Sequence, residues 1–277
     1  MVIESGCVNL CKFRIMGVIN VTPDSFSDGG QFIKNGRINT DSILRTVDSM
    51  LVAGADIIDV GGESTRPGAD PVGVDHEVSR VVPVLELIRT HFDTLLSVDT
   101  SSAKLIREAV SAGANFINDV RALRRPGALE AAVESKLPVC LTHMQNQPKN
   151  MQIEPFYLNV VSDVLTFLLE RKDACLAAGM APDKIYIDPG FGFGKTLEHN
   201  VTLFRAIDRF VDTGFPVIVG VSRKRMISEL LNDPSECRLI GSVTLAVLAA
   251  QRGVSILRVH DVDETVRAIK ILSQIDF

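Results

Sequence analysis

The 277-residue sequence has no run of lysine and arginine of the kind that tracks a nucleic-acid backbone; 29 basic against 34 acidic residues leave a formal net charge of -5. A bound anion would therefore have to be met by local residues and not by the field of the whole chain. No apolar stretch approaches the roughly 20 residues of a membrane span. The N-terminal MVIESGCVNL lacks the basic and long apolar regions of a signal peptide. Cysteine is sparse and odd in number, five in all, with no CxxC pair. Cys7 and Cys11 stand without a second pair or a nearby histidine, so no zinc site is expected. Cys140 and Cys175 fall in apolar runs and read as buried thiols, which suits a reduced, cytoplasmic protein. No GxGxxG follows the first strand-like run, and GFGFGK at 190–195 lacks P-loop spacing.

What is present is a large apolar content, 46% of residues, with a strong period. Short β-branched runs recur at 13–20, 56–62, 95–100, 116–120, 138–144, 184–190, 216–223 and 256–261, each followed by a helical pattern. TDSILRTVDSMLVAG places Ile43, Leu44, Val47, Met50 and Leu51 on one face, and later segments repeat that pattern. AGAD, SAGAN, TGFP and QRGVS each place a glycine where a helix should stop before the next strand. Near-continuous apolar strands alternating with amphipathic helices imply a parallel sheet covered by helices. Eight such units predict a (β/α)8 TIM barrel, with a doubly wound open sheet as the alternative. No linker or low-complexity tract divides the chain, so a single domain over residues 1–277 is expected.

Active sites of such barrels lie at the C-terminal ends of the strands. Here those ends carry Asn20; Asp59 running into GGESTRPG; Asp99; Asn118 and Asp119; His143; Asp188 running into DPGFGFGK; Ser222 and Lys224; and Arg258, His260 and Asp261. Turn chemistry explains part of this list. It does not explain ionisable groups inside the apolar strands themselves.

The motifs GVINVTPDSFSDGG, DVGGESTRPGA, SVDT, INDV, DPGFGFGK, GVSRK and RVHDV, in this order, closely resemble those of the dihydropteroate synthase family, from about Phe13 to the C-terminus. The resemblance implies a (β/α)8 barrel, a homodimer, and condensation of 6-hydroxymethyl-7,8-dihydropterin diphosphate with p-aminobenzoate to give 7,8-dihydropteroate and pyrophosphate. It also implies an SN1-like route and a p-aminobenzoate pocket that sulfonamides occupy. No nucleic acid or membrane partner is expected.

It assigns the pterin to Asp99, Asn118 and Asp188, whose carboxylates and amide match its donors and acceptors. Asp99 and Asp188 also bring negative charge to a forming cation. Lys224 would donate to the pterin and face the p-aminobenzoate side. Arg258 and His260 suit the pyrophosphate, and the amide oxygen of Asn20 suits Mg²⁺, which bridges phosphate and keeps waters. Asp99, Asp188, Lys224 and Arg258 are the expected catalytic groups. Ser222 would bond the p-aminobenzoate carboxylate, with Pro67, Phe193 and the Lys224 stem along its ring. Thr22–Gly30, with Asp24, Ser25, Phe26 and Ser27, and the loop carrying Thr65, Arg66 and Pro67 would close over the site, Arg66 pairing with Asp24.

Bland readings stand beside these: helix caps for the short polar residues, a solvated Lys224, and a rim His260 paired with Asp261 or Asp263. Thr142 replaces a methionine expected near the pterin. A corrinoid methyltransferase of the same superfamily would not need the lid, Ser222–Lys224 or the Arg258/His260 pair. A binding barrel without catalysis is the rival from another class. The apolar helix 241–253 is expected either inside the barrel wall or at the dimer contact.

Overall fold

The computed structural model describes residues 13–22, 32–34, 37–233 and 238–275. The first polar loop beyond Thr22 and Cys7, Cys11 and Cys237 lie outside the described residues, as does the expected Arg66–Asp24 pairing.

Strands β1 (Arg14–Asn20), β4 (Ile57–Gly61), β5 (Leu95–Asp99), β6 (Phe116–Asp119), β7 (Val139–Thr142), β8 (Ile185–Asp188), β9 (Ile218–Val219) and β10 (Ile256–Val259) form one parallel sheet, ordered β8-β7-β6-β5-β4-β1-β10-β9. A parallel bridge from Ile187 to Val217 joins the two ends, so the sheet closes as a (β/α)8 TIM barrel. A small antiparallel pair, β2 (Ile33–Lys34) and β3 (Arg37–Ile38), precedes the first helix.

Ten α-helices are described: α1 (Thr40–Ala53), α2 (Val74–His91), α3 (Ala103–Ser111), α4 (Ala128–Ser135), α5 (Val160–Ala177), α6 (Leu197–Arg205), α7 (Ile207–Val211), α8 (Arg225–Leu231), α9 (Leu239–Gln251) and α10 (Val262–Gln274). Asn39 starts α1 by accepting from the Ser42 amide. The four glycines read as helix stops, Gly54, Gly113, Gly214 and Gly253, all have positive φ, as that role requires.

The strands are shorter than the apolar runs suggest. The largest difference is at 216–223, where only Ile218–Val219 pairs as strand. Pro216 has no N–H to give the ladder, and beyond Gly220 the chain turns into Ser222–Lys224, with Arg223 at φ 57°. The apolar helix begins two residues earlier than read. One side of it packs into the barrel wall, with Ala246, Ala249 and Ala250 buried, while Ile240 and Leu248 are exposed. Among the described residues no helix is long and apolar enough to cross a membrane.

The two-residue period of the strands builds the barrel interior in layers. Met16, Ile57, Phe116, Cys140, Ile218 and Ile256, with Tyr186 packed against them, form an apolar floor. Two residues further along the same strands stand Val18, Asp59, Asn118, Thr142, Asp188, Gly220 and Arg258, and this next layer is largely polar. Asp99 joins it through the register of Gly61 with Asp99 and of Asp99 with Asn118. Asp119 is out of phase. Its carboxylate accepts from Ser101 Oγ and from the amides of Arg121 (2.7 Å) and Leu123 (2.8 Å), shaping the turn after β6.

Candidate active site

Arg258 of β10 is the centre of the polar layer. Its Nε donates to Asp59 Oδ2 at 2.7 Å and its Nη2 to Asp99 Oδ2 at 2.8 Å. Asn118 Nδ2 donates to the same Asp59 oxygen at 3.1 Å. The guanidinium thus joins three strands, and Asp59 brings in the fourth through Asn118. Burial works against the Arg258 charge, but the two carboxylates more than offset it and hold its pKa above the ordinary value. Burial pushes Asp99 up to about 7, with Arg258 opposing and the Asp59 charge adding to the rise. Asp59 is fully buried, and its Oδ1 has no protein partner.

On the other side of the mouth, Asp188 accepts from the Gly190 amide at 2.7 Å. Burial raises its pKa, with Lys224 opposing. Lys224 Nζ donates to the Phe191 carbonyl and lies 4.3 Å from the centre of the Phe193 ring. Burial pulls Lys224 down to about 8, with Asp188 holding the proton against it. Phe193 is half-buried. The mouth therefore presents three carboxylates, an amide, a guanidinium and an ammonium at the C-terminal end of the barrel. Such a set holds a flat heterocycle by paired hydrogen bonds and meets charge of either sign beside it.

His260 and Ser222 form a unit of their own. Ser222 Oγ accepts from the His260 amide at 3.1 Å and lies 3.1 Å from His260 Nδ1. Burial, then the charges of Arg258, Arg223, Arg66 and Lys224, bring His260 down to about 3. The ring is neutral, so Ser222 Oγ and His260 Nδ1 share one hydrogen bond, with either as donor according to the tautomer. Neither Asp261 nor Asp263 is its partner. Asp261 takes Arg223 in a forked pair at 3.1 and 2.5 Å, and Asp263 takes Arg267.

Residues 16–260 match the family of pterin binding enzymes. The chain is 50% identical to the dihydropteroate synthase of Haemophilus influenzae over 268 residues, covering 97% of this chain and 96% of that protein. The chain belongs to the dihydropteroate synthase family. Its fold matches that of the Yersinia pestis dihydropteroate synthase solved with a sulfonamide drug complex, with a TM-score of 0.91, 51% identity, and 96% and 95% of the two chains covered. The Xanthomonas albilineans dihydropteroate synthase with 4-aminobenzoic acid gives a TM-score of 0.87 at 45% identity, with 95% and 93% covered. Dihydropteroate synthases are transferases of folate synthesis, and this chain is an enzyme of that class.

The remaining expected residues of the synthase site lie on the same face of the barrel. Thr65 is half-buried, and Arg66 and Pro67 are exposed. The base of their loop is fixed: buried Glu63 pairs with buried Arg121 at 2.8 Å, and the Gly68 amide donates to Pro148 O at 2.9 Å. Asn20 ends β1, half-buried. A Cβ built on Gly61 would lie 3.6 Å from both Asn20 Oδ1 and Asp99 Oδ2 and 3.3 Å from Asp99 Cβ, so both oxygens approach the same glycine. Among the described residues no three His, Cys, Asp or Glu side chains cluster as a metal cage. One amide oxygen beside a carboxylate suits Mg²⁺, a cation that keeps its waters and takes phosphate oxygens as ligands.

Sequence reading noted Asp59 but gave it no role, although a carboxylate two residues above the apolar floor was the signal. It also passed over the Glu63–Arg121 pair and Lys195, which is 3% exposed inside a motif read only for its glycines. Thr142 is buried, with Oγ1 3.7 Å from Cys140 Sγ.

Proposed function

We propose that the enzyme condenses 6-hydroxymethyl-7,8-dihydropterin diphosphate with p-aminobenzoate, releasing pyrophosphate and forming 7,8-dihydropteroate. The observation that carries this reading is the Asp59–Arg258–Asp99–Asn118 cluster facing Asp188 and Lys224 across one barrel mouth. In the reaction the bond from the pterin methylene carbon to the diphosphate oxygen breaks and pyrophosphate leaves with the bonding pair. The arylamine nitrogen then attacks the methylene carbon and gives up a proton. Departure before attack creates a cation on the pterin, and the charges of Asp99 and Asp188 favour that SN1-like order.

Asp99, Asn118 and Asp188 hold the pterin edge. Arg258 uses two of its five N–H donors on carboxylates, leaving three for the departing pyrophosphate. In the tautomer in which Ser222 donates to Nδ1, neutral His260 adds the Nε2–H. Ser222 reaches the p-aminobenzoate carboxylate only by turning its proton away from His260, so the two residues would move together. Lys224 faces both substrates, with Phe193 and Pro67 along the ring of the second. Sulfonamides would compete there. Thr65 and Arg66 would close over the diphosphate with the loop after Thr22, excluding water from the cation. Mg²⁺ at Asn20 would neutralise charge on the leaving pyrophosphate.

The exposed Ile240 and Leu248 on α9 support a homodimer contact there, and the free, buried thiols of Cys140 and Cys175 support a reducing, cytoplasmic setting. The test is incubation with the dihydropterin diphosphate and Mg²⁺, with and without p-aminobenzoate, measuring pyrophosphate and dihydropteroate. Metal-dependent dihydropteroate is expected. Tight pterin binding without product would overturn the reading in favour of a binding protein.

A further inference from the structure

The loop that follows β8 has a feature that no motif announces. Each of its six consecutive carbonyls, Gly190 to Lys195, accepts from a side chain. Lys195 serves Gly190 at 2.8 Å and Phe193 at 3.1 Å. Gln152 serves Gly192 at 2.6 Å, Tyr157 serves Gly194 at 2.8 Å, and Asn200 serves Lys195 at 3.4 Å. The remaining one, Phe191, accepts from Lys224, a residue of the proposed active site.

Lys195 is the centre of this arrangement. Its third contact is His143 Nδ1 at 2.9 Å. A lysine nitrogen has no lone pair to give while protonated, so neutral His143, brought down to about 2 chiefly by burial, accepts at Nδ1. The three N–H bonds serve these three close acceptors, with His143 O a fourth, longer contact at 3.5 Å. Burial, then the Lys224 charge, pulls the Lys195 ammonium well below its ordinary value, and the Asp188 charge opposes that pull. The loop is also pressed against the end of β7. A Cβ on Gly190 (φ +72°) would lie 1.8 Å from His143 O, and one on Gly194 (φ +64°) 2.7 Å from Gln145 O. Lys195 grips the carbonyls on both sides of Phe191, so the height of the Phe191 carbonyl and the tilt of the Phe193 ring are set from beneath.

We propose that Lys195 is a positioning residue: by clamping Gly190 and Phe193 to His143 it fixes the Phe191 carbonyl and Phe193 ring on which Lys224 rests, and so shapes the subsite for the arylamine substrate. This rests on the reading of the Lys224 and Phe193 face as that subsite. Lys195→Met removes the three donors and keeps the stem.

Three readouts separate positioning from loss of fold. A folding defect lowers the active fraction and leaves both KM values unchanged. The proposal expects KM for p-aminobenzoate to rise about tenfold while KM for the dihydropterin diphosphate stays within about twofold. In Tyr157→Phe, which keeps the Lys195 charge that repels Lys224, it expects the basic limb of the pH profile to move below its wild-type position, because the acceptor that favours the charged form of Lys224 is less firmly held. The titration of the Lys224 ammonium, followed by nitrogen NMR of labelled lysines and assigned with Lys224→Met, should shift the same way in that variant, and it is readable without turnover. Tyr157→Phe, which removes only the Gly194 tie, should give a smaller KM change of the same sign should Lys195→Met not fold. Wild-type turnover judges the reading of the reaction separately. Equal changes in the two KM values, or an unmoved Lys224 titration in Tyr157→Phe, would overturn the role of Lys195.

Discussion

Replacing Asp59 by asparagine tests the electrostatic centre without changing its shape. Asp59 Oδ2 takes two donors, the Arg258 guanidinium at 2.7 Å and the Asn118 amide at 3.1 Å. An asparagine oxygen in the same place keeps both contacts but removes the charge. Its amide group then falls where Oδ1 has no partner, so it gains nothing there. A hydrogen bond to a charged group contributes about 1.5–3 kcal/mol and a neutral acceptor about 1 kcal/mol. The difference of roughly 0.5–2 kcal/mol corresponds to a loss of about 2- to 30-fold in kcat/KM for the dihydropterin diphosphate, through a less firmly held Arg258.

The same change has a second signature with a definite sign. Asp99 sits at about 7, and the Asp59 charge is one of the causes of that rise. If the reaction uses ionised Asp99, kcat/KM climbs as pH rises through about 7 in the wild type. Without the neighbouring charge, Arg258 lowers Asp99 less opposed, and the acid limb moves to lower pH. The deficit of Asp59→Asn is therefore smaller at pH 6 than at pH 8. Initial rates between pH 5.5 and 9, with saturating p-aminobenzoate, measure both effects. An acid limb that moves up, or a variant with undiminished kcat/KM, refutes the reasoning.

The folded-state pKa of Asp99 lies above its unfolded value, so at neutral and higher pH its charge opposes folding, and this opposition fades as pH falls from about 7 towards 4. Asp99→Asn should thus raise the melting temperature by about 3 °C at pH 8, less at pH 5, while abolishing turnover; calorimetry at the two pH values checks it. Glu63 and Arg121 are 6% and 4% exposed, so Arg121→Met leaves a buried carboxylate short of its closest cation and should reduce unfolding free energy by about 3–5 kcal/mol in urea titrations. The half-exposed Arg125, 3.6 Å from Glu63, argues for the lower part of that range. Chelating divalent ions should weaken binding of the dihydropterin diphosphate more than tenfold and leave binding of the 6-hydroxymethyl pterin unchanged, as titration calorimetry would show; equal weakening of both would remove the metal from Asn20.

Much of the architecture was legible because it follows from local rules. Alternation of apolar strand and amphipathic helix, punctuated by Gly54, Gly113, Gly214 and Gly253, gives the barrel, and its closed ends give the face on which to look for chemistry. Asp99, Asn118 and Asp188 were legible as polar residues ending apolar runs, the family resemblance supplied their expected role, and the fold sets them at the same end of the barrel. The partners were not legible. Arg258 and Asp59 are 199 residues apart, and nothing local tells a guanidinium which carboxylate it will meet. Ser222 with His260 and Lys195 with His143 are likewise contacts between the ends of neighbouring strands, 38 and 52 residues apart in the chain. The brevity of β9 was hidden because an apolar run reads alike whether its amides pair or not.

Closure of the ring also sets an order of assembly. β1 pairs on one edge with β4 and on the other with β10, so Arg14 waits for Ile256. A chain emerging from the ribosome can build the wall from β1 to β8 while that edge of β1 stays open. Until β10 emerges, Asp59 and Asp99 have no Arg258 between them, and two carboxylates share a cavity without their cation. The nascent barrel therefore carries its own electrostatic reason to remain loose at this end. The last strand brings both the missing hydrogen-bonding edge and the missing positive charge, so completion of the wall and completion of the reaction centre are a single event in the life of the chain.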